Sequence, residues 1–561
     1  MTDIRRTLLW VVFTMSLVLL WDAWNKHTGQ PSVFGGAPAK SASAPAASSP
    51  AAPFAGGVPA PAAAIGTAGP AAIGTVPLTP VAATREKLRV RTDLYDVLID
   101  SRGGELSRLE LLRYADADND KLNVVLFDQS AERVYTAQSG LITQQPGVVL
   151  PNHLTPMTAV PGEREMRAGA DQLVVRFESD AVGGVKLAKT YTFRRGDYRI
   201  GVRHEVINAS ADVVQPQLYL QLARDGNAPK GESSFYFTFT GPTVYTELSK
   251  FQKIDFKDIE KGKATHDKSA DNGWIAMVQH YFAAAWLLDG VQPREFRTAK
   301  VSDNLYSVAM VVPMGDVAAG ATQAFDATLF AGPQEENKLA VMAPGLDLVK
   351  DYGWFTILSK PLFWLLDKLY AMIGNWGWAI VGLVVLLKIA FYWLNASAYR
   401  SMAKMKAVSP KVTEMRERLK DKPQQMQQEM MRIYREEKVN PLGGCLPILV
   451  QMPFFIALYW VLLSSVEMRN APWIGWITDL SAKDPYFILP VLMTLSSLFQ
   501  VWLNPKPPDP MQAKMMWMMP LMFSVMFFFF PAGLVLYWLT NNILSIAQQW
   551  FINHQMGVLR H

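Results

Sequence analysis

After residue 375 the sequence is dominated by apolar runs too closely spaced for a soluble core: 375–395, 444–466, 486–503 and two within 515–552. Each approaches the roughly 17 to 25 residues that a helix needs to cross a bilayer. A further run, "TLLWVVFTMSLVLLW", follows Arg5 and Arg6 within residues 1–25, so the pattern predicts about six transmembrane helices. Half of the 561 residues are apolar, with 17 Trp and 26 Met, usage that fits a membrane protein. The lone Cys445 excludes an internal disulfide. One span carries a charge, Lys388 in "GNWGWAIVGLVVLLKIAFYWLN". A charge inside a span points to a functional site, since such groups face a bundle interior or a wet cavity more often than lipid.

Charge around the spans sets an expected topology. No small-residue cleavage site closes the first run, which ends in "WDAW", so it reads as an uncleaved anchor with a cytoplasmic N-terminus. Residues 26–84 are Ala, Pro, Gly and Ser ("SASAPAASSPAAPFAGG") and read as a disordered tether. Residues 396–443 carry eleven basic side chains, Arg400 to Lys438, and are expected in the cytoplasm. Their stripes Val412, Met415, Leu419 and Met426, Met430, Ile433, separated by "DKP", predict a cytoplasmic helical hairpin. The loop 467–485 is then external, and the loop 504–514 and tail 553–561 are internal. Within 333–374, "WFTILSKPLFWLLDKLYAM" sets Lys360, Asp367 and Lys368 against an apolar face. It predicts an interfacial amphipathic helix with Pro361 in its first turn.

Between these membrane segments, residues 85–332 alternate apolar and polar positions, as in "DQLVVRFES", "VKLAKTYTF" and "YRIGVRHEVIN". That periodicity predicts an exported all-β sandwich. His204, Glu205 and Asp225 are its most available polar residues, yet they form no metal spacing, nucleophile elbow or carboxylate pair, and "KGKAT" lacks the glycines of a phosphate loop. The expectation is a non-enzyme without metal or cofactor.

Lys388 and Gln451 each lie about seven residues, roughly 10 Å, from the cytoplasmic ends of antiparallel spans. The last span adds Asn541, Asn542, Gln548 and Gln549 to the same inner half, with Tyr537 and Trp538 nearer the outside. Exposed to lipid, each polar group is costly, so a hydrated inner vestibule is the expected arrangement. "MQAKMMWMMPLMFSVMFFFF", with Met515, Met516 and Met519, supplies an adaptable apolar wall for substrate together with Tyr537 and Trp538. Arg416, Arg418 and Lys420 are the expected docking charges of the hairpin. Their mixed-sign surroundings argue against recognition of a specific nucleic acid sequence. Two alternatives are a polytopic transporter or channel with a periplasmic solute-binding domain, and a carbohydrate-binding β domain for which the helices are only an anchor.

The segments "SMAKMKAVSPKVTEMRERLKD", "EEKVNPLGGCLPILVQMPFFIALYWVL", "LSAKDPYFILPVLM", "DPMQAKMM" and "FPAGLVLYWLTNN" resemble the YidC membrane-protein insertases of Gram-negative bacteria. "GWIAMVQHYFAAAW" resembles their large periplasmic domain. The resemblance implies an ATP-independent insertase and chaperone of the inner membrane, working alone or with the Sec translocon. It implies five core helices around a hydrophilic groove open to cytoplasm and lipid and closed toward the periplasm. Partners implied are nascent membrane proteins, membrane lipids, and ribosome or targeting factors at the cytoplasmic loops. The groove of such proteins holds a cation, usually arginine. Lys388 matches that position and keeps the charge without the planar fork.

Overall fold

A computed structural model describes residues 86–117, 119, 121–229, 238–419, 422–437, 446–504 and 510–555. The expected anchor 1–25, the tether 26–84, Lys420, Cys445 and the chain from 556 lie outside the described residues. The chain divides into two compact units, residues up to 333 with 340–346, and 334–339 with 347 onward.

The first unit is two nine-stranded antiparallel sheets. One runs, edge to edge, through Lys87–Arg91, Tyr95–Asp100, Glu105–Ala115, Asn123–Gln129, Val134–Ile142, Gln217–Asp225, Leu305–Pro313, Arg294–Ser302 and Ser269–Ala270. The other runs through Lys250–Lys253, Gly241–Thr246, Trp274–Val278, Phe282–Leu287, Thr322–Pro333, Arg199–Asn208, Val185–Arg194, Gln172–Ser179 and Met157–Ala159. Alternation does what it should in Gln172–Ser179, where Leu173, Val175 and Phe177 are buried and the residues between them face outward. Phe282–Leu287 is buried at every position, which accounts for its unbroken apolar sequence "FAAAWL". The sheets are joined by side chains of one reaching backbone of the other. The Tyr95 hydroxyl shares its one proton between the carbonyls of Tyr198 at 2.9 Å and Ala331 at 2.8 Å, and Trp286 Nε1 donates to the Gln221 carbonyl at 3.1 Å. A short helix, α1 (Phe256–Glu260), lies among the strands.

The polar residues singled out in this unit do separate work. His204 is fully buried, its Nε2 2.8 Å from Ser139 Oγ. Beside it the buried Lys189 donates to the carbonyls of Gly103 and Ser139, both at 2.7 Å. Glu205 pairs with Arg176 and Arg203 at the surface. Asp225 accepts the backbone N–H groups of Val134 at 2.7 Å and Asn227 at 2.9 Å. The three side chains do not converge on one site.

The second unit is helical. After α2 (Glu336–Met342) come α3 (Thr356–Ile373), α4 (Trp376–Ala390), α5 (Tyr392–Arg418), α6 (Pro423–Glu436), α7 (Leu446–Ser464), α8 (Ile488–Leu503), α9 (Pro510–Phe527) and α10 (Ala532–Gln555). On α3, Ser359, Leu362, Phe363 and Leu366 are buried while Ile357, Trp364 and Met372 are exposed, a one-faced helix as its spacing predicts. Pro361 is not in the first turn; it is the sixth residue of α3. It is tolerated there because it lies on the exposed face, as does Ile357, whose carbonyl it leaves without an N–H partner. Gly374, at φ 74°, ends α3 in the left-handed conformation with its N–H on the Tyr370 carbonyl at 2.7 Å. Asn375 then caps α4 by accepting the Trp378 N–H at 3.0 Å.

The apolar segments are more broken than the sequence suggests. No single described helix is long and apolar enough to cross a membrane; α4 and Tyr392–Met405 of α5 satisfy length and composition together, across a bend of 68°. The break falls at Phe391, whose ring packs edge-on against Phe454 with centroids 5.0 Å apart. Shorter apolar helices cover Val450–Ser464, Ile488–Leu503 and Ala513–Phe527. Farther along α5, the two predicted stripes pack together: Val408, Val412 and Met415 are buried against Leu419 and against Met426, Met430 and Ile433 of α6.

Candidate substrate groove

Three helical stripes enclose one pocket. Val384, Leu387, Lys388 and Phe391 come from α4 and its end, Gln451, Phe454, Phe455 and Leu458 from α7, and Tyr537 and Asn541 from α10. The spacings of three, four and seven residues are those that put side chains on one face of a helix. Each stripe contributes one polar or charged group to an otherwise apolar wall.

Lys388 is half-buried, and its ammonium donates to Ser545 Oγ at 2.7 Å. Ser545, one turn after Asn541 on α10, sends its own proton to the Asn541 carbonyl at 2.7 Å. Among the described residues no carboxylate pairs with Lys388, so its charge is held without being neutralised. Gln451 donates to Asn395 Oδ1 at 2.9 Å, which fixes its amide plane at the pocket edge. The arrangement offers a cation, amide groups and aromatic rings to a chain entering between helices, and no bonded nucleophile–base pair.

Of the predicted groove residues, Lys388, Gln451 and Asn541 meet in this pocket. Asn542 does not. It is buried and donates to Ser496 and Ser497 of α8 at 3.2 and 2.9 Å, because neighbouring helical residues point about 100° apart. Gln549 likewise turns to Asn504, at 3.0 Å. Gln548, seven residues beyond Asn541 on the same helix face, is half-buried with its Oε1 unpartnered.

The predicted apolar wall divides in two. Tyr537 lines the pocket, and Trp538 beside it stacks on Phe455 with ring centroids 5.7 Å apart. Met515 and Met519 stand exposed on α9 and Met516 is half-buried there, away from the pocket lining. The aromatic wall at the pocket is instead Phe391, Phe454 and Phe455. Sequence reasoning missed these residues, although stepping three and four positions from Gln451 finds the latter two. It also missed Ser545 and Asn395. Among the docking charges, Arg418 is exposed and Arg416 half-buried on α5.

Comparison with known proteins addresses both units. The family model for the YidC periplasmic domain matches residues 87–365, and that for the 60Kd inner membrane protein matches residues 368–558. The membrane protein insertase YidC of Cupriavidus necator is 56% identical over 559 residues, covering 99% of this chain and 98% of its own. The protein of the same name from Janthinobacterium sp. (strain Marseille) is 51% identical, covering 99% and 100%. A solved structure of an active YidC insertase with its first transmembrane domain resolved is 19% identical at a TM-score of 0.37, covering 82% of this chain and 91% of that one. With identity above one half along nearly its whole length, the chain belongs to the YidC family of inner-membrane proteins with a periplasmic domain.

Proposed function

We propose that the chain is a membrane protein insertase and chaperone, and that the pocket at Lys388 is its hydrophilic groove, open to the cytoplasm. It moves hydrophobic segments of nascent inner-membrane proteins into lipid, alone or with the Sec translocon. The observation that carries the reading is the Lys388 ammonium, half-buried among apolar helices, bonded to a serine and without a carboxylate partner among the described residues. Such a group is costly unless water or an incoming polar chain hydrates it. A hydrated pocket lets a polar exported segment enter part of the membrane in water, while its apolar neighbour partitions into lipid. The straight part of α4, 15 residues, is about 22 Å long against a hydrocarbon layer of about 30 Å, so α4 alone falls short of a full crossing. No bond is made or broken in this process and no nucleotide is required.

In the proposed layout the anchor (1–25), the spans 375–395, 444–466 and 486–503 and the last two within 515–552 give six crossings with both termini in the cytoplasm. The hairpin 396–443 receives ribosome or targeting factors. Its mixed charges, such as the pair Lys411–Glu437, suit a protein partner better than nucleic acid. Apolar side chains exposed on α9, Met515 and Met519 among them, face lipid or a substrate leaving the groove. The decisive experiment is reconstitution in liposomes without nucleotide or translocon, followed by protease protection of a small single-spanning substrate. Insertion above empty liposomes is expected; insertion that depends on added nucleotide would sink the mechanism.

A further inference from the structure

Resting on the groove reading, we propose that Ser545 is a positioning residue for Lys388: it fixes the ammonium at pocket depth and thereby gives the groove a preference for acidic exported segments. The argument starts from the lysine itself. Its four-carbon stem is flexible, and a lysine in the last turn of an apolar helix tends to bend its head toward the headgroups. Lys388 is two residues from the end of α4, which is the setting for that escape. Its head instead meets Ser545 Oγ at 2.7 Å, on a residue buried in another helix. The serine proton is committed to the Asn541 carbonyl at 2.7 Å, so the oxygen presents lone pairs to the ammonium.

The choice of a hydroxyl has a chemical consequence. A carboxylate in this place would hold the ammonium more strongly and cancel its charge. Serine holds it by one of three N–H donors and cancels nothing, leaving the other donors and the full positive charge for a substrate carboxylate. Asn395 stands in a similar relation to Gln451. Asn541 contributes its carbonyl to Ser545 and a side chain to the pocket, which makes Ser545 the link between two pocket residues.

The test uses the full chain in liposomes and two substrates that differ only in Asp and Glu against Asn and Gln in the exported segment. The readout is the ratio of acidic to neutral insertion. Ser545→Ala is expected to lower that ratio roughly tenfold, the scale of one hydrogen bond to a charged group. Ser545→Cys, of similar volume and a poor acceptor, is expected to act like alanine, and Ser545→Thr to restore the ratio. In a Lys388→Met background Ser545→Ala is expected to leave the ratio where Lys388→Met put it. A ratio unmoved by both Ser545→Ala and Ser545→Cys, or a further fall in the Lys388→Met background, overturns the positioning role. If Lys388→Met lowers the ratio and the Ser545 variants do not, the groove reading stands and only this proposal falls. If Lys388→Met moves neither substrate, both fall.

Discussion

At Lys388 the structure separates charge from side-chain shape. The ammonium is held by a neutral hydroxyl, so what the pocket supplies is positive potential, and Lys388→Arg is expected to retain insertion. Lys388→Glu is expected to be poorly tolerated, and Lys388→Ala to impair acidic substrates first, because attraction strengthens where water is partly excluded. A cysteine substituted at this position, with Cys445 replaced, is expected to react with a water-soluble thiol reagent from the cytoplasmic side. No labelling together with full activity of the Ala and Glu variants would remove Lys388 from the mechanism. In the β unit His204 gives a pH prediction. Burial, and then the charge of Lys189, push its value down to about 3. The unfolded chain takes a proton near pH 6.5 that the folded chain refuses, so stability is lost as pH falls from about 6.5 toward 3, at about 1.4 kcal/mol per pH unit. The neighbouring Glu105 is pushed up by its burial and acts with the opposite sign as pH rises. Comparing unfolding of the chain with that of His204→Gln across this range is expected to give curves that converge in acid; parallel curves would refute the assignment. The sequence identified His204 only as an available polar residue, although it falls in phase with Ile200, Val202 and Val206, the positions that alternation turns inward.

At the scale of elements, the turn Leu346–Val349 leads to Lys350, whose buried ammonium is fastened to Glu467 at 3.0 and 3.2 Å and lies 3.7 Å from the centre of the Phe363 ring on α3. This joint ties α3 to the chain just after α7. A second carboxylate, Glu336, lies 3.9 Å from the same ammonium, so Glu467→Leu is expected to cost about 1 to 3 kcal/mol, and Lys350→Met with Glu467→Leu together to cost less than the two single losses added. Thermal unfolding of the full chain in detergent measures both, and additive losses would show that the pair is not coupled. The apolar face of α3 was legible from its spacing, as were the meeting stripes of α5 and α6. The break at Phe391 was not. Residues 386–400 contain neither glycine nor proline, and what stands at the break is a ring packed on Phe454 of another helix, a tertiary contact that local sequence does not announce.

Over the whole molecule, every residue lining the pocket belongs to the helical unit. Deleting residues 90–320 while keeping the anchor and normal expression is therefore expected to leave substantial insertion, measured by protease protection of a small substrate; complete loss would assign the β unit a direct part in transport. The division into a strand unit and a helical unit was readable because period-two and continuous apolar patterns occupy different stretches of the chain. The composition of the groove was readable only in part: Lys388, Gln451 and Asn541, grouped by counting residues along the apolar runs, do meet in one pocket, while the different headings of Asn541 and Asn542 depend on helix rotation. The bend at Phe391 also has a mechanical meaning. Beyond it α5 continues for 27 residues, a rod of about 40 Å, so a tilt of about 10° at its base sweeps the far end through roughly 7 Å. Asn395, at the short end of that rod, accepts the hydrogen bond of Gln451 at 2.9 Å. A load applied at the tip thus arrives at the pocket as a small, geared-down displacement of the residue that holds its amide.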